Sequence, residues 1–137
     1  MEDFSLAPIG DSEIVSEVRI LAIDDDADFR EFLKVFLEQS DCRWAITSNM
    51  DDFRRAYQEL DPTVILTDMS MPEVDGFEVM AWLREQGYTC RLVLVSGSNH
   101  IYTDAAAKLG SARGLADLIT LQKPMHLTDL RTALGIS

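Results

Sequence analysis

Long apolar runs are missing from this chain. No stretch of the 137 residues approaches the roughly 20 apolar residues that a bilayer-spanning helix needs. The opening residues, Met1-Glu2-Asp3, supply neither a basic n-region nor an apolar h-region, so no signal peptide is expected. Cysteine is scarce. Cys42 and Cys90 stand far apart and in no metal-like spacing. A structural disulfide is therefore not expected, and two reduced thiols suit a cytoplasmic protein. Positive charge is also scarce, with 12 Lys and Arg against 24 Asp and Glu and a net charge of −12. That balance argues against direct nucleic-acid binding, because a phosphate backbone needs a basic face. It suits basic partners or divalent cations instead. The two histidines, His100 and His126, lack ligand spacing and read as surface or capping residues. Internal repeats and low-complexity tracts are absent.

What remains is one domain, long enough to bury roughly 68–70% of its unfolded surface. Its organising stretch is residues 64–77. Val64 to Leu66 is a short β-branched apolar run, which reads as a fully buried strand, and Asp68 closes it. Pro72 stops the extended segment. Asp75-Gly76 opens a helix, with Asp75 and Glu78 at the spacing of a capping box. One carboxylate thus stands where a buried strand runs out, the edge at which open α/β sheets bind ligands.

Residues 1–17 read as an extension, a disordered leader in preference to a functional arm, and 18–137 as the domain. Val18–Ile23 is the first strand and runs into Asp24-Asp25-Asp26. A helix over about 27–39 carries Phe29, Phe32, Leu33, Phe36 and Leu37 on one face, and this stripe is assigned to the core. Trp44–Thr47 is a second strand. Ser48 or Asn49 caps a helix that buries Phe53, Ala56, Tyr57 and Leu60 and ends at Asp61-Pro62. The third helix is expected to bury Phe77, Met80 and Ala81, with Leu83 or Trp82, and to stop at Gly87. Leu92–Val95 is the fourth strand. A helix near 102–109, a fifth strand over Leu118–Leu121 and a last helix over Leu127–Leu134 complete the chain. Strands alternating with helices imply a parallel sheet covered on both faces.

Parallel strands put their ends on one edge. That edge would gather Asp24 and Asp25, Asp68, Ser96 and Lys123. Crowded carboxylates repel, and burial raises their pKa unless a cation intervenes. Lys123 supplies one charge, too little for three ionised acids. Mg²⁺ is the natural complement, since it takes one or two carboxylates, keeps waters and can bridge to a phosphoryl oxygen. Such a site suits phosphoryl transfer, with Asp68 as a nucleophile that forms an acyl phosphate.

These residues resemble the receiver domain of two-component response regulators. The matching motifs are Ile-Asp-Asp-Asp at 23–26, Asp-Met-Ser-Met-Pro at 68–72, Asp75-Gly76, Val-Ser-Gly at 95–97 and Lys-Pro at 123–124. They occur in the family's order across about residues 18–134. The resemblance implies an α/β fold: a (βα)5 doubly wound, five-stranded parallel sheet of strand order 2-1-3-4-5, flavodoxin-like or CheY-like. It implies that Asp68 is the phosphoacceptor, supplied by a histidine kinase, a histidine phosphotransfer protein or a small phosphodonor. Asp25 would ligate Mg²⁺ directly, Asp24 mainly through water, and Asp68 and the backbone carbonyl of Ser70 would complete the protein's ligands. Ser96 and Lys123 would contact the phosphoryl oxygens, and Lys123–Pro124 would be cis. Output would pass from the 96–123 region to a downstream effector protein or domain. No membrane is implied, and a homodimer is left open.

Two departures stand out. Many receivers carry an aromatic switch residue three positions before the lysine, and here that position is Thr120. Tyr102 reads as packing in preference to a substitute for that ring. Ser96 and Lys123 are 27 positions apart, several more than usual, with the extra length in 108–115. A similar stretch occurs in receivers linked to cyclic-di-GMP phosphodiesterase domains. Ser70 and Ser98 occupy positions that tune phosphate lifetime in the family. Two other classes stay open. One is a docking module of receiver fold that is not phosphorylated. The other is an aspartate-nucleophile phosphatase, which Ser70 disfavours because that pattern wants an acid there.

Overall fold

The computed structural model describes residues 5–6, 18–69, 76–97 and 117–136. In chain order the elements are β1 (Ser5–Leu6), β2 (Arg19–Ile23), α1 (Ala27–Glu38), β3 (Arg43–Thr47), α2 (Met50–Leu60), β4 (Val64–Asp68), α3 (Gly76–Glu85), β5 (Arg91–Ser96) and β6 (Asp117–Gln122). A helix over Leu127–Leu134, here α4, follows. The sheet runs β1-β3-β2-β4-β5-β6. β2 to β6 are all parallel and, counted from β2, stand in the order 2-1-3-4-5. That is the expected doubly wound topology. Among the described residues no helix is long and apolar enough to cross a membrane.

One departure is the sixth strand. Ser5–Leu6 pairs antiparallel with β3, so part of the expected leader belongs to the sheet. Two residues joined by main-chain pairing carry no side-chain period, which is why the sequence pattern does not announce them. The rest of residues 1–17, Pro72, Asp75 of the capping box and the helix near 102–109 lie outside the described residues.

Local chemistry sets the helix ends. Asp26 is extended at φ −83°, ψ 112°, and its carboxylate accepts the Asp28 N–H at 3.0 Å, capping α1. Asn49 caps α2 by accepting the Asp52 N–H at 2.9 Å. Asp61 ends α2 in the left-handed region at φ 52°, which Asp tolerates better than most side chains, and Pro62 forbids continuation. Gly87 and Gly135 take φ 77° and 72° beyond α3 and at the end of α4.

Period-two alternation splits each strand between two cores. Leu21, Ile23, Ile65, Leu92 and Leu94 face α2 and α3. Ile20, Ala22, Val64, Leu66, Val93 and Val95 face α1 and α4. Three side-chain expectations are corrected, the first being Tyr57, which is half-buried. Phe32 is 38% exposed, while Phe29, Leu33, Phe36 and Leu37 are buried. It lies on the rim of the stripe, where the 3.6-residue turn carries a side chain out toward solvent. In α3 the buried set is Val79, Met80 and Leu83, and Ala81 is exposed. Phe77 and Trp82 are half-buried against the same core, Trp82 edge-on to Phe53 and Tyr57.

Gly76 opens α3 against the end of β4. A Cβ there would overlap the Met69 side chain and sit 3.1 Å from the Met69 Cα. Overpacking costs about 1–3 kcal/mol, and the better helix propensity of Ala returns about 1. Gly76→Ala is therefore expected to lower stability in urea melts by up to about 2 kcal/mol. An unchanged or raised midpoint would show that Met69 yields.

Candidate functional site

Each acid of the site is placed by main-chain bonds. Asp24 follows β2, and its N–H donates to the Thr47 carbonyl at 3.1 Å. Its Oδ1 accepts the Asp26 N–H at 2.9 Å. Its carbonyl accepts from Arg30 Nη1 at 2.9 Å. Asp68 ends β4, and the next amide, Met69 N–H, donates to the Val95 carbonyl at 2.9 Å. Ser96 ends β5 in register with Gln122 and is buried. The Lys123 N–H donates to the Ser96 carbonyl at 2.8 Å, and the Lys123–Pro124 peptide is cis, as the resemblance implies.

The side chains converge. The Lys123 ammonium lies 2.8 Å from Asp24 Oδ2 and 3.9 Å from Asp68 Oδ2. It also sits 4.3 Å above the centre of the Phe29 ring, a cation–π contact. Asp24, Asp25 and Asp68 each offer a carboxylate oxygen within 4.8 Å of the other two. Asp24 and Asp68 are buried, and Asp25 faces solvent. The structure thus brings Asp24, Asp25, Asp68 and Lys123 to one point, with Ser96 at the neighbouring strand end. Ser70, Ser98, His100 and Tyr102 lie outside the described residues.

Burial pushes the Asp24 carboxyl up to about 6. The Lys123 ammonium and the Asp26 amide oppose this, and the negative charge of Asp68 adds to it. Asp24 Oδ2 meets the ammonium at 2.8 Å yet has no well-directed hydrogen bond. Three carboxylates around one ammonium, with one buried oxygen left so poorly satisfied, fit a hard divalent cation with oxygen donors.

Three contributors carry little sequence signal. Arg30 reads as a surface cation of α1 yet clamps the Asp24 carbonyl. Thr47 holds the Asp24 amide and anchors its own hydroxyl on the Ala22 carbonyl at 2.7 Å. Phe29, expected only as core, also floors the ammonium. Thr120, at the position of the family's aromatic switch, is exposed in an open cleft of about 530 Å³ between β6 and α4, beside Gln122, Met125 and Asp129. Cys42 and Cys90 are free thiols.

A carboxyl whose folded pKa lies above its unfolded value stabilises the fold only while protonated. For Asp24 that contribution is complete below the ordinary value of 3.8 and is lost as pH rises through about 6. In chelator, Asp24→Asn is expected to remove this part of the stability loss between those pH values and to raise the Tm at neutral pH. A pH–Tm curve with the parent's slope would contradict it.

The response regulator receiver domain family matches residues 20–135. The response regulator receiver protein CpdR of Brucella abortus is 31% identical over 115 residues, covering 82% of this chain and 89% of CpdR. The transcriptional regulatory protein GltR of Pseudomonas aeruginosa is 31% identical over 77 residues, 56% of this chain but only 32% of GltR. Among solved structures, the signal receiver domain of an HD domain-containing protein from Pseudomonas fluorescens Pf-5 superposes with a TM-score of 0.75 at 17% identity, covering 88% of this chain and 93% of that one. On the family match and the CpdR likeness together, the chain belongs to the response regulator receiver domains of two-component systems.

Proposed function

We propose that Asp68 accepts a phosphoryl group, in a magnesium-dependent transfer, from the phosphohistidine of a histidine kinase or histidine phosphotransfer protein. The observation that carries this reading is the Lys123 ammonium held between Asp24 and Asp68 within a cluster of three carboxylates. An Asp68 oxygen would attack phosphorus as the phosphorus–nitrogen bond of a donor ring protonated on its other nitrogen breaks, leaving an aspartyl phosphate on the protein and neutral imidazole, which keeps that proton, on the donor. Asp24, Asp25, Asp68 and the Ser70 carbonyl would hold Mg²⁺, which offsets the repulsion between an ionised Asp68 and the incoming group. Lys123 would then neutralise a phosphoryl oxygen, and Ser96 would donate its hydroxyl to another. The chain acts as a phosphoacceptor rather than a turnover enzyme, in the cytoplasm, and passes its state to a downstream effector protein or domain.

Thr120 gives the docking-module reading its one point of support, because no ring at that position can follow Ser96. The test is incubation with Mg²⁺ and acetyl phosphate, followed by intact mass. A phosphoryl adduct that is lost in Asp68→Asn and suppressed by chelator is expected. No adduct from acetyl phosphate or a phosphorylated kinase would favour docking without phosphorylation.

The donor needs a place to land. Phe32 and Val35 are the exposed large apolar side chains of α1. Phe32 lies 5.7 Å from Phe29, ring to ring, and Phe29 underlies Lys123, so an apolar path joins this surface to the site. Phe32→Ala is expected to slow phosphorylation by a kinase about tenfold, the loss of roughly 1.4 kcal/mol of docking. It should leave the acetyl phosphate rate unchanged. Equal slowing with both donors would move Phe32 from docking to site architecture.

A further inference from the structure

Without β1, β3 would be the edge of the sheet. The Thr47 carbonyl accepts from Asp24 toward β2. Main-chain groups in a parallel strand alternate sides residue by residue, so Trp44 and Ile46 aim their N–H and C=O away from β2. Ser5 stands opposite Ile46 and Leu6 opposite Ala45, antiparallel, on that outer side. Arg43–Thr47 contains Trp, Ile and Thr, one charge and no proline. A bare edge of that composition is a template for strand addition.

We propose that Ser5–Leu6 is an intramolecular guard. It occupies the edge of β3 that a second copy of this chain would otherwise extend with its own β3, antiparallel across a two-fold axis. Antiparallel pairing of identical strands closes on itself and so gives a dimer, not a filament. The interaction surface is the outer main chain of β3, and its competing occupants are a segment of the same chain and the same strand of another copy. The proposal rests on main-chain pairing alone and is independent of whether Asp68 accepts phosphate.

The test uses the full chain carrying Ser5→Pro and Leu6→Pro: the first removes the N–H that β1 aims at Ile46, and the second fixes the neighbouring φ away from antiparallel values. A second variant lacking residues 1–10 covers the case in which the prolines disturb folding, and far-UV circular dichroism checks both. Dilute variant should exchange the Ile46 amide roughly tenfold faster than the parent. Raising the concentration should produce a dimer in sedimentation velocity and restore Ile46 protection, while the parent stays monomeric. Ile46 exchange equal to the parent's in both variants would overturn the pairing. Fast exchange with no dimer at any concentration would overturn the guard role.

Discussion

An ammonium 2.8 Å from a fully buried carboxylate oxygen is held there by backbone, not by solvent. Removing two opposite charges from water costs several kcal/mol per ion, and their attraction repays this only when geometry is tight. Here the geometry comes from the sheet. The Lys123 amide is tied to the end of β5, the Asp24 amide to the end of β3, and the Met69 amide to β5. Parallel neighbours thus fix one another's last residues, and the charged side chains inherit that precision. The inner strands beneath are apolar over Ile20–Ile23, Val64–Leu66 and Leu92–Val95, and a slip of their register would separate an ion from its counterpart.

Much of this was legible in residue order. Short β-branched runs at Ile20–Ile23, Val64–Leu66 and Leu92–Val95 can only be satisfied by burial on both faces, so helices must cover them. Once strands are parallel, the polar residue after each must share an edge, and Asp24, Asp68, Ser96 and Lys123 follow from that alone. Rim positions were less legible. Phe32 shares the spacing of its buried neighbours, and only the width of the α1 footprint decides that it stays wet. Ala81 and Val79 trade places because residues two apart on a helix differ by about 200°, just over half a turn.

Supports that act through main chain were not legible at all. The β1 pairing, the Arg30 clamp and the Thr47 carbonyl involve contacts between segments whose side chains carry no matching pattern. The Thr120 position shows the opposite limit. Its identity is plain in the sequence and its exposure plain only in the structure.

Asp24 and Asp25 are neighbours held under different rules. Asp24 has its amide bonded to the end of β3 and its carbonyl and one carboxylate oxygen bonded to the start of α1, so it is closely confined. Asp25 is exposed and free of that confinement. A hard cation seated among these acids would meet a confined carboxylate on one side and an exposed one on the other. Differences in ionic radius would be taken up from the solvent side, by the reach of one side chain.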